Sequence, residues 1–99
     1  MARSVPAAAN DLTVAQYWVI ECKDINKSEL CAGYFMALNQ ANEFATHIMK
    51  KPLWCSGGNS VFQNHAIVMK FLQQNPKLWD LKFFAVAVVA LTDAYPCDK

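Results

Sequence analysis

Cysteine is the residue type in this chain with the most chemistry to offer, because a thiol can attack a substrate, bind a metal or form a disulfide. Four cysteines occur in 99 residues, at Cys22, Cys31, Cys55 and Cys97. No two are spaced as Cys-x-x-Cys, the arrangement typical of zinc ribbons and thioredoxin-like sites. An even number of cysteines in a short chain is typical of disulfide staples, which persist in oxidising compartments. The pattern therefore predicts a secreted or periplasmic protein with two disulfides.

The positions of the cysteines favour one pairing. Cys22 and Cys31 bracket the first predicted turn between helices, and Cys97 lies two residues from the chain end, where a bond to Cys55 ties the tail down. In the chain-entropy model, the short bridge contributes about 2.7 kcal/mol and the long one about 4 kcal/mol. Four cysteines allow three pairings, and the sequence leaves the other two open.

A thiol enzyme is the first alternative to the disulfide interpretation. Cys55, with His47 or His65 as its base, has the residue types of a cysteine nucleophile and its general base. Two disulfides consume every thiol, so we expect the chain not to be an enzyme. The Cys and His spacings match no compact zinc site, and we expect no metal or other cofactor. We expect His47 to be solvated and His65 to be partly buried.

A short glycine-containing segment is a weaker candidate. Residues 56–59 read Ser-Gly-Gly-Asn before a predicted helix and resemble an anion-binding nest. No Lys-Ser or Lys-Thr pair follows, as one does in a phosphate-binding loop, and a turn with permissive backbone explains the glycines more simply. Asp80 and Asp93 stand alone near helix ends, which gives no carboxylate pair for acid–base catalysis.

Composition and charge exclude several function classes. Nine Lys and Arg against eight Asp and Glu give a net charge of +1 without a basic run, so we expect no nucleic-acid partner. Hydrophobic residues make up 55% of the chain, enough for one domain with a real core. The longest apolar run, 83–91, is shorter than the roughly 20 residues that span a bilayer, so we expect no membrane insertion. Residues 1–9 lack the apolar stretch of a signal peptide, and we expect the leader of a periplasmic protein to be missing here.

Helical spacing of apolar residues dominates the rest of the chain. A flexible N-terminal arm is predicted at 1–10, and helices are predicted at 12–23, 26–49, 60–74 and 82–94. Capping-box spacings, Asn26 with Glu29 and Ser60 with Gln63, mark the starts of the second and third helices. The predicted fold is therefore all-α, a compact bundle of four main helices stapled by two disulfides, in a single domain over 11–99.

The helix faces predict which residues form the core. The inner stripe of the second helix is predicted to be Leu30, Tyr34, Leu38, Ala41, Ala45 and Ile48. The fourth helix is apolar almost all round, which predicts the most buried position. Met36 and Ile67 are apolar residues on polar faces. Trp54 and Trp79 are large aromatic residues in loops, where such side chains serve either as lids over the core or as anchors for a partner.

The segments around the cysteines form a series that occurs in a known family. Residues 31–34 read Cys-Ala-Gly-Tyr, and Cys55 follows after a long helix. Ile-Val at 67–68 precedes Leu-Gln-Gln-Asn-Pro at 72–76, and the chain closes with Ala-Leu-Thr-Asp-Ala-Tyr-Pro-Cys at 90–97. Over residues 11–97, this order resembles the immunity proteins for type VI secretion amidase effectors. The chain departs from the family pattern at 56–59 and at Asn75, where members often carry Pro or Val and His, respectively.

The resemblance implies a periplasmic, all-helical, non-catalytic protein, often a homodimer. It implies binding to a peptidoglycan-cleaving amidase and steric occlusion of its cysteine-protease-like cleft. Such occlusion demands a rigid inhibitor, since ordering a flexible loop on binding reduces affinity. We place the dimer contact at Met36 or elsewhere on the outer face of the second helix.

We expect the partner surface to combine the outer face of the third helix with the connection that follows it. Its predicted residues are Gln63, Asn64, Ile67, Lys70, Gln74, Lys77, Leu78, Trp79 and Asp80. A small periplasmic chaperone or acid-stress helical protein has a similar size and cysteine content and is the alternative function. That alternative predicts exposure of apolar surface and client binding at low pH.

Overall fold

The computed structural model describes residues 11–55 and 60–97, which form four α-helices. The helices are α1 (Ala15–Glu21), α2 (Glu29–His47), α3 (Val61–Gln74) and α4 (Phe83–Ala94). Short 3₁₀ turns at Ile25–Lys27 and Pro76–Leu78 precede α2 and α4. These elements confirm the all-α fold. The predicted arm at 1–10 and the candidate anion nest at 56–59 lie outside the described residues.

Serine caps begin α2 and α3. The Ser60 hydroxyl accepts a hydrogen bond from the Gln63 amide at 3.2 Å, which confirms the predicted start of α3. The predicted start of the second helix at Asn26 is wrong, because the Ser28 hydroxyl caps α2 by accepting from the Cys31 amide at 3.0 Å. Asn26 lies instead in the 3₁₀ turn, where its amide donates to the side chain of the aspartate two residues earlier.

The first helix has no side-chain cap at its N-terminus, and a distant segment of the chain takes that role. The amides of Ala15 and Gln16 donate to the carbonyls of Leu81 and Trp79, at 2.8 and 2.7 Å. The first amide of α4 donates back to the Thr13 carbonyl at 2.7 Å. The first N–H groups of a helix have no partner within the helix, so these carbonyls satisfy them. The backbone just before α4 is thereby bonded to the start of α1.

Aromatic rings from α1, α2 and α4 form the centre of the core. Trp18 stacks on Phe83, with ring centroids 5.2 Å apart and planes 12° from parallel. Tyr34 contacts both rings, at 4.7 and 5.0 Å. Trp18 is almost completely buried, and its indole N–H donates to the Leu12 carbonyl at 2.7 Å. Because large aromatic residues dominate core energetics, this cluster holds the three helices together.

The buried face of α2 is rotated from the predicted stripe. The buried residues of this helix are Cys31, Phe35, Leu38 and Ala45. Leu30 and Ile48, which were predicted to face inward, are exposed. The disulfide between Cys22 and the first turn of α2 explains the difference, because it turns that side of the helix towards α1.

The last helix occupies the centre of the bundle, since it packs against both α1 and α3. Its buried residues are Phe83, Val86, Ala87, Ala90 and Leu91. The prediction that this helix has the central, most buried position is confirmed, although Phe84 is 48% exposed and Val89 is 55% exposed. The helices packed against α4 leave part of its circumference open to solvent.

Both predicted disulfides are confirmed. Cys22–Cys31 joins the end of α1 to the first turn of α2, with Cα atoms 5.3 Å apart. Cys55–Cys97 joins the loop after α2 to the segment after α4, with Cα atoms 5.0 Å apart. The first bridge is fully buried, whereas the second reaches the surface at Cys97. All four cysteines are therefore used in bridges.

Asn42 holds the loop that carries Cys55. Its side-chain oxygen accepts from the amides of Leu53 and Trp54 at 2.7 and 3.2 Å, and its side-chain N–H donates to the Trp54 carbonyl at 3.1 Å. The Trp54 side chain is 1% exposed, so this loop tryptophan is a lid within the core. Asn42 supplies hydrogen-bond partners to backbone that lies outside any helix.

Replacing Asn42 tests this description. Asn42→Ala leaves two amides and one carbonyl of the loop without their partner, so we expect the free energy of unfolding to fall by about 2–4 kcal/mol. Urea unfolding followed by circular dichroism measures the change. Gln40→Ala, on the exposed side of the same helix, is the matched control and should change stability by less than about 0.5 kcal/mol. Similar losses in both variants would contradict the proposed role of the Asn42 side chain.

Candidate partner-binding surface

The outer face of α3 carries the first part of the predicted surface. Gln63, Lys70 and Gln74 are exposed, and Ile67 is half-buried. The prediction for Asn64 is wrong, because its side chain is fully buried between helices. Its amide nitrogen donates to the Asn39 side-chain oxygen of α2 at 2.9 Å. Asn64 lies one turn before the buried Val68, so it belongs to the α2–α3 interface and not to a partner surface.

A cleft runs between α3 and α4 on this face. It is lined by Ile67, Lys70, Phe71 and Gln74 of α3 and by Ala90, Asp93 and Ala94 of α4, and its volume is about 260 Å³. The lining combines apolar side chains with one cation, Lys70, and one carboxylate, Asp93. Three of the predicted surface residues therefore meet in one cleft.

The α4 side of this cleft was missed by the sequence prediction. The apolar pattern of α4 predicts the most buried position and does not indicate which face of the helix contacts solvent. One signal was available, since Asp93 is the only charged residue between Lys82 and Asp98. A lone charge in an apolar helix indicates the side that faces water.

The connection between α3 and α4 is held by side-chain hydrogen bonds. The Trp79 indole N–H donates to the Leu72 carbonyl at 2.8 Å, and the Asn75 side chain donates to the Phe71 carbonyl at 2.8 Å. Both carbonyls belong to the last turn of α3. The carbonyl groups of a last helical turn have no N–H donor within the helix. Together with the backbone bonds to α1, these contacts fix the connection at both of its ends.

Four predicted surface residues lie in this connection. Lys77 and Asp80 are exposed, whereas Leu78 and Trp79 are half-buried and pack against the core. Trp79 is therefore in part a lid over the end of α3. A partner that approaches the connection meets the two charged side chains first. The assignment of these residues to a partner stays a prediction.

The residues considered for catalysis do not form a site. The Cys55 sulfur is bonded to Cys97, and His47 is exposed at the end of α2. The His65 ring donates through Nε2 to the Cys22 carbonyl at 2.6 Å, so it joins α3 to the end of α1. Over residues 11–55 and 60–97, no three His, Cys, Asp or Glu side chains form a group that could hold a metal ion. No helix in the same ranges has both the length and the apolar character to cross a bilayer.

Burial shifts the titration of two tyrosines. It raises the pKa of Tyr34, which lies in the aromatic cluster. Burial, followed by the charge of Glu21, also raises the pKa of Tyr17. The pKa of Asp11 is lowered, chiefly because its carboxylate accepts a hydrogen bond from the Thr13 hydroxyl at 2.7 Å.

Comparison with known families decides the class of protein. A family model described as Rap1a immunity proteins matches residues 13–97. The chain belongs to the Rap1a immunity protein family. This is a family of type VI effector immunity proteins, which confirms the resemblance of the cysteine motifs. No curated protein and no solved structure matches the chain.

Membership of the Rap1a immunity family gives the structural features a context. The matched range includes all four helices, both disulfides and the connection between α3 and α4. An immunity protein acts by binding a cognate effector protein, and members of such families are typically inhibitors without catalytic activity. The surface of this Rap1a immunity protein is therefore where its function lies.

The pKa shift of Tyr34 predicts how this Rap1a immunity protein responds to alkali. Above pH ~10 the phenol ionises in the unfolded chain but stays protonated in the folded one. The titration of Tyr34 therefore does not change the free energy of unfolding at neutral pH, where the phenol is protonated in both states. It lowers this free energy as pH rises beyond about 10. Urea unfolding between pH 8 and about 11 should show a smaller fall for Tyr34→Phe than for the wild type. Equal slopes would contradict the shift.

Proposed function

We propose that this chain is a periplasmic immunity protein that binds a type VI secreted peptidoglycan amidase and occludes its active site. The observation that carries the proposal is the family match over residues 13–97, to which the motifs of amidase-effector immunity proteins add the class of effector. The two disulfides support the periplasm, because that compartment forms and keeps such bonds. A bacterium that makes the amidase needs such an inhibitor to protect its own cell wall.

Steric occlusion needs an element that keeps its shape before and during binding. The connection between α3 and α4 has this property, since hydrogen bonds anchor it to the end of α3 and to the start of α1. An element that is already ordered loses little conformational entropy on binding, which favours affinity. The proposed insert is therefore the connection with its exposed Lys77 and Asp80.

The proposed contact extends from the connection onto α3. Lys70 and Gln74 lie on the same outer face and line the cleft with Asp93. The charged side chains at the edge of such a surface orient the partner and set its register, while the half-buried Trp79 and Ile67 contribute apolar area. The proposed inhibitor is a homodimer whose subunits meet on the outer face of α2.

Inhibition of the cognate amidase is the direct test. The cognate amidase effector is mixed with the immunity protein, and release of peptidoglycan fragments is measured. We expect cleavage to stop at a mole ratio near one to one, because each inhibitor blocks one cleft. Undiminished cleavage at a several-fold excess of the immunity protein would end the proposal.

Charge reversal on the connection tests the proposed surface. We expect Lys77→Glu and Asp80→Lys each to weaken inhibition at least tenfold, or ~1.4 kcal/mol, while thermal stability stays unchanged because both side chains are exposed. Lys23→Glu, an equivalent reversal at the far end of α1, is the matched control and should inhibit like the wild type. If only Lys23→Glu lost inhibition, the partner surface would include the end of α1 and not the connection, which would contradict the proposed surface.

A further inference from the structure

The size and the walls of the cleft between α3 and α4 restrict what can enter it. Its α3 wall carries the apolar Ile67 and Phe71, and its α4 wall carries Ala90 and Ala94 on successive turns. Residues four apart lie on one face of a helix, so the two small side chains leave room beside each other. The volume of about 260 Å³ is below the roughly 300–1,000 Å³ of sites that hold a whole small molecule, which favours a single side chain of a partner protein.

The walls of this cleft are held in place before any partner binds. Val68 and Leu72, the neighbours of the cleft residues on α3, are fully buried in the core, and Ala90 of α4 is 2% exposed. The Phe71 carbonyl accepts a hydrogen bond from the Asn75 side chain at 2.8 Å, which secures the last turn of α3. A cleft that already has its shape loses little conformational entropy when a partner fills it.

One charged side chain lies on each wall of the cleft. Lys70 belongs to α3 and Asp93 to α4, and both are exposed. Neither side chain forms a hydrogen bond or an ion pair with another residue in the ranges 11–55 and 60–97. A lysine ammonium offers only N–H donors, whereas an aspartate carboxylate offers only acceptors. A polar group that enters between the helices can therefore accept a hydrogen bond from one wall and donate one to the other.

The three residue types that dominate binding at protein interfaces, Trp, Tyr and Arg, differ in what they offer to these two charges. An indole or a guanidinium only donates, so either would leave Lys70 without an acceptor, and a guanidinium would also be repelled by the lysine charge. A phenol hydroxyl both donates and accepts. We propose that the cleft receives one tyrosine side chain of the effector, whose hydroxyl donates to the Asp93 carboxylate and accepts from the Lys70 ammonium.

The apolar lining of the cleft suits the ring of that tyrosine. The ring lies between Phe71 and Ile67 on one side and the two alanines of α4 on the other, and Phe71 supplies an aromatic partner for it. An effector with phenylalanine in place of this tyrosine would fill the cleft but leave both charges without a partner, so the cleft selects for the hydroxyl. The inference rests on the proposed function, because it names the group of the effector that the surface recognises.

Binding of p-cresol, the tyrosine side chain as a free molecule, tests the cleft without an effector. In an NMR titration of the immunity protein, p-cresol should shift the signals of Phe71 and Ala90 in a saturable manner. We expect it to bind about fivefold more tightly than toluene, which lacks the hydroxyl. Propylguanidinium, the corresponding analogue of arginine, should bind more weakly than p-cresol. Equal binding of p-cresol and toluene, tighter binding of propylguanidinium, or no saturable shift at these residues would overturn the proposal.

Substitutions on α4 separate the cleft from the rest of the helix. Ala94→Leu fills the cleft and should raise the dissociation constant of p-cresol about tenfold, with an unchanged circular dichroism spectrum because Ala94 is exposed. Ala85→Leu is the matched control, since Ala85 is exposed on the opposite face of the same helix, and it should bind p-cresol like the wild type. Asp93→Ala should remove the preference for p-cresol over toluene. Equal effects of the two leucine substitutions, or a preference that survives Asp93→Ala, would contradict the proposed contacts.

A double-mutant cycle with the cognate amidase identifies the tyrosine. Each exposed tyrosine of the amidase is replaced by phenylalanine, and inhibition by the wild type is compared with inhibition by Asp93→Ala. One replacement should weaken inhibition by the wild type about fivefold and leave inhibition by Asp93→Ala unchanged, because that variant already lacks the hydrogen bond. Inhibition with additive effects of every replacement would reject the tyrosine and keep the amidase proposal. Selective p-cresol binding without any inhibition would reject the amidase and keep the phenol-binding cleft.

Discussion

The structure depends on one exchange of backbone hydrogen bonds, in which the segment before α4 caps the start of α1. Neither Val14 nor any nearby side chain satisfies the first amides of this helix, and the carbonyls of Trp79 and Leu81 do so instead. The exchange has two consequences at once. It supplies partners to a helix of only seven residues, which is too short to be stable alone. It also fixes the conformation of the connection that we propose enters the effector, so the fold and the proposed inhibitory element share the same hydrogen bonds.

The buried disulfide helps to determine which face of α2 packs into the core, which the apolar pattern alone does not settle. Two apolar stripes run along α2, one through Cys31, Phe35 and Leu38 and one through Leu30, Ala37 and Phe44. The bond from Cys22 to Cys31 turns the first stripe inward, and His65 reinforces that side by donating to the Cys22 carbonyl. Leu30, Ala37 and Phe44 of the second stripe are then exposed. The disulfide thus acts together with the aromatic contacts of Tyr34 and the Asn39–Asn64 hydrogen bond to orient the helix.

Local sequence patterns predicted much of this fold. The errors arise from contacts between residues that lie far apart in the sequence. The third helix was predicted correctly because Ser60 and the Asn75-Pro76 pair define its ends within a few residues. The start of α2 was misplaced because Asn26 and Ser28 both offer caps, and only the 3₁₀ turn decides between them. The surface prediction for Asn64 is wrong because its hydrogen-bond partner, Asn39, lies 25 residues away on another helix. The structure has the pairing that the sequence favours among three, since each bridge spans a predicted turn or ties down the chain end. The hydrophobic periodicity of the sequence does not predict which carbonyls cap α1. The hydrogen bonds that hold the connection could therefore not be predicted from the sequence.

The two proposed interaction surfaces lie on opposite sides of α4. Asp93 lines the cleft shared with α3, and Phe84 lines the groove shared with α2. Nine residues separate them, and nine steps of 100° amount to half a turn beyond two full turns, which puts the two side chains on opposite faces of the helix. Packing of two copies through α2 therefore leaves the cleft and the Lys77–Asp80 connection of each copy open. The exposed residues of α4 therefore lie on more than one side of the helix, with Phe84 at the α2 groove and Asp93 at the cleft with α3. The buried residues Phe83, Val86, Ala87, Ala90 and Leu91 pack into the core. The apolar character of α4 almost all round, which predicts the most buried position, thus includes core residues and exposed apolar residues such as Phe84 and Val89.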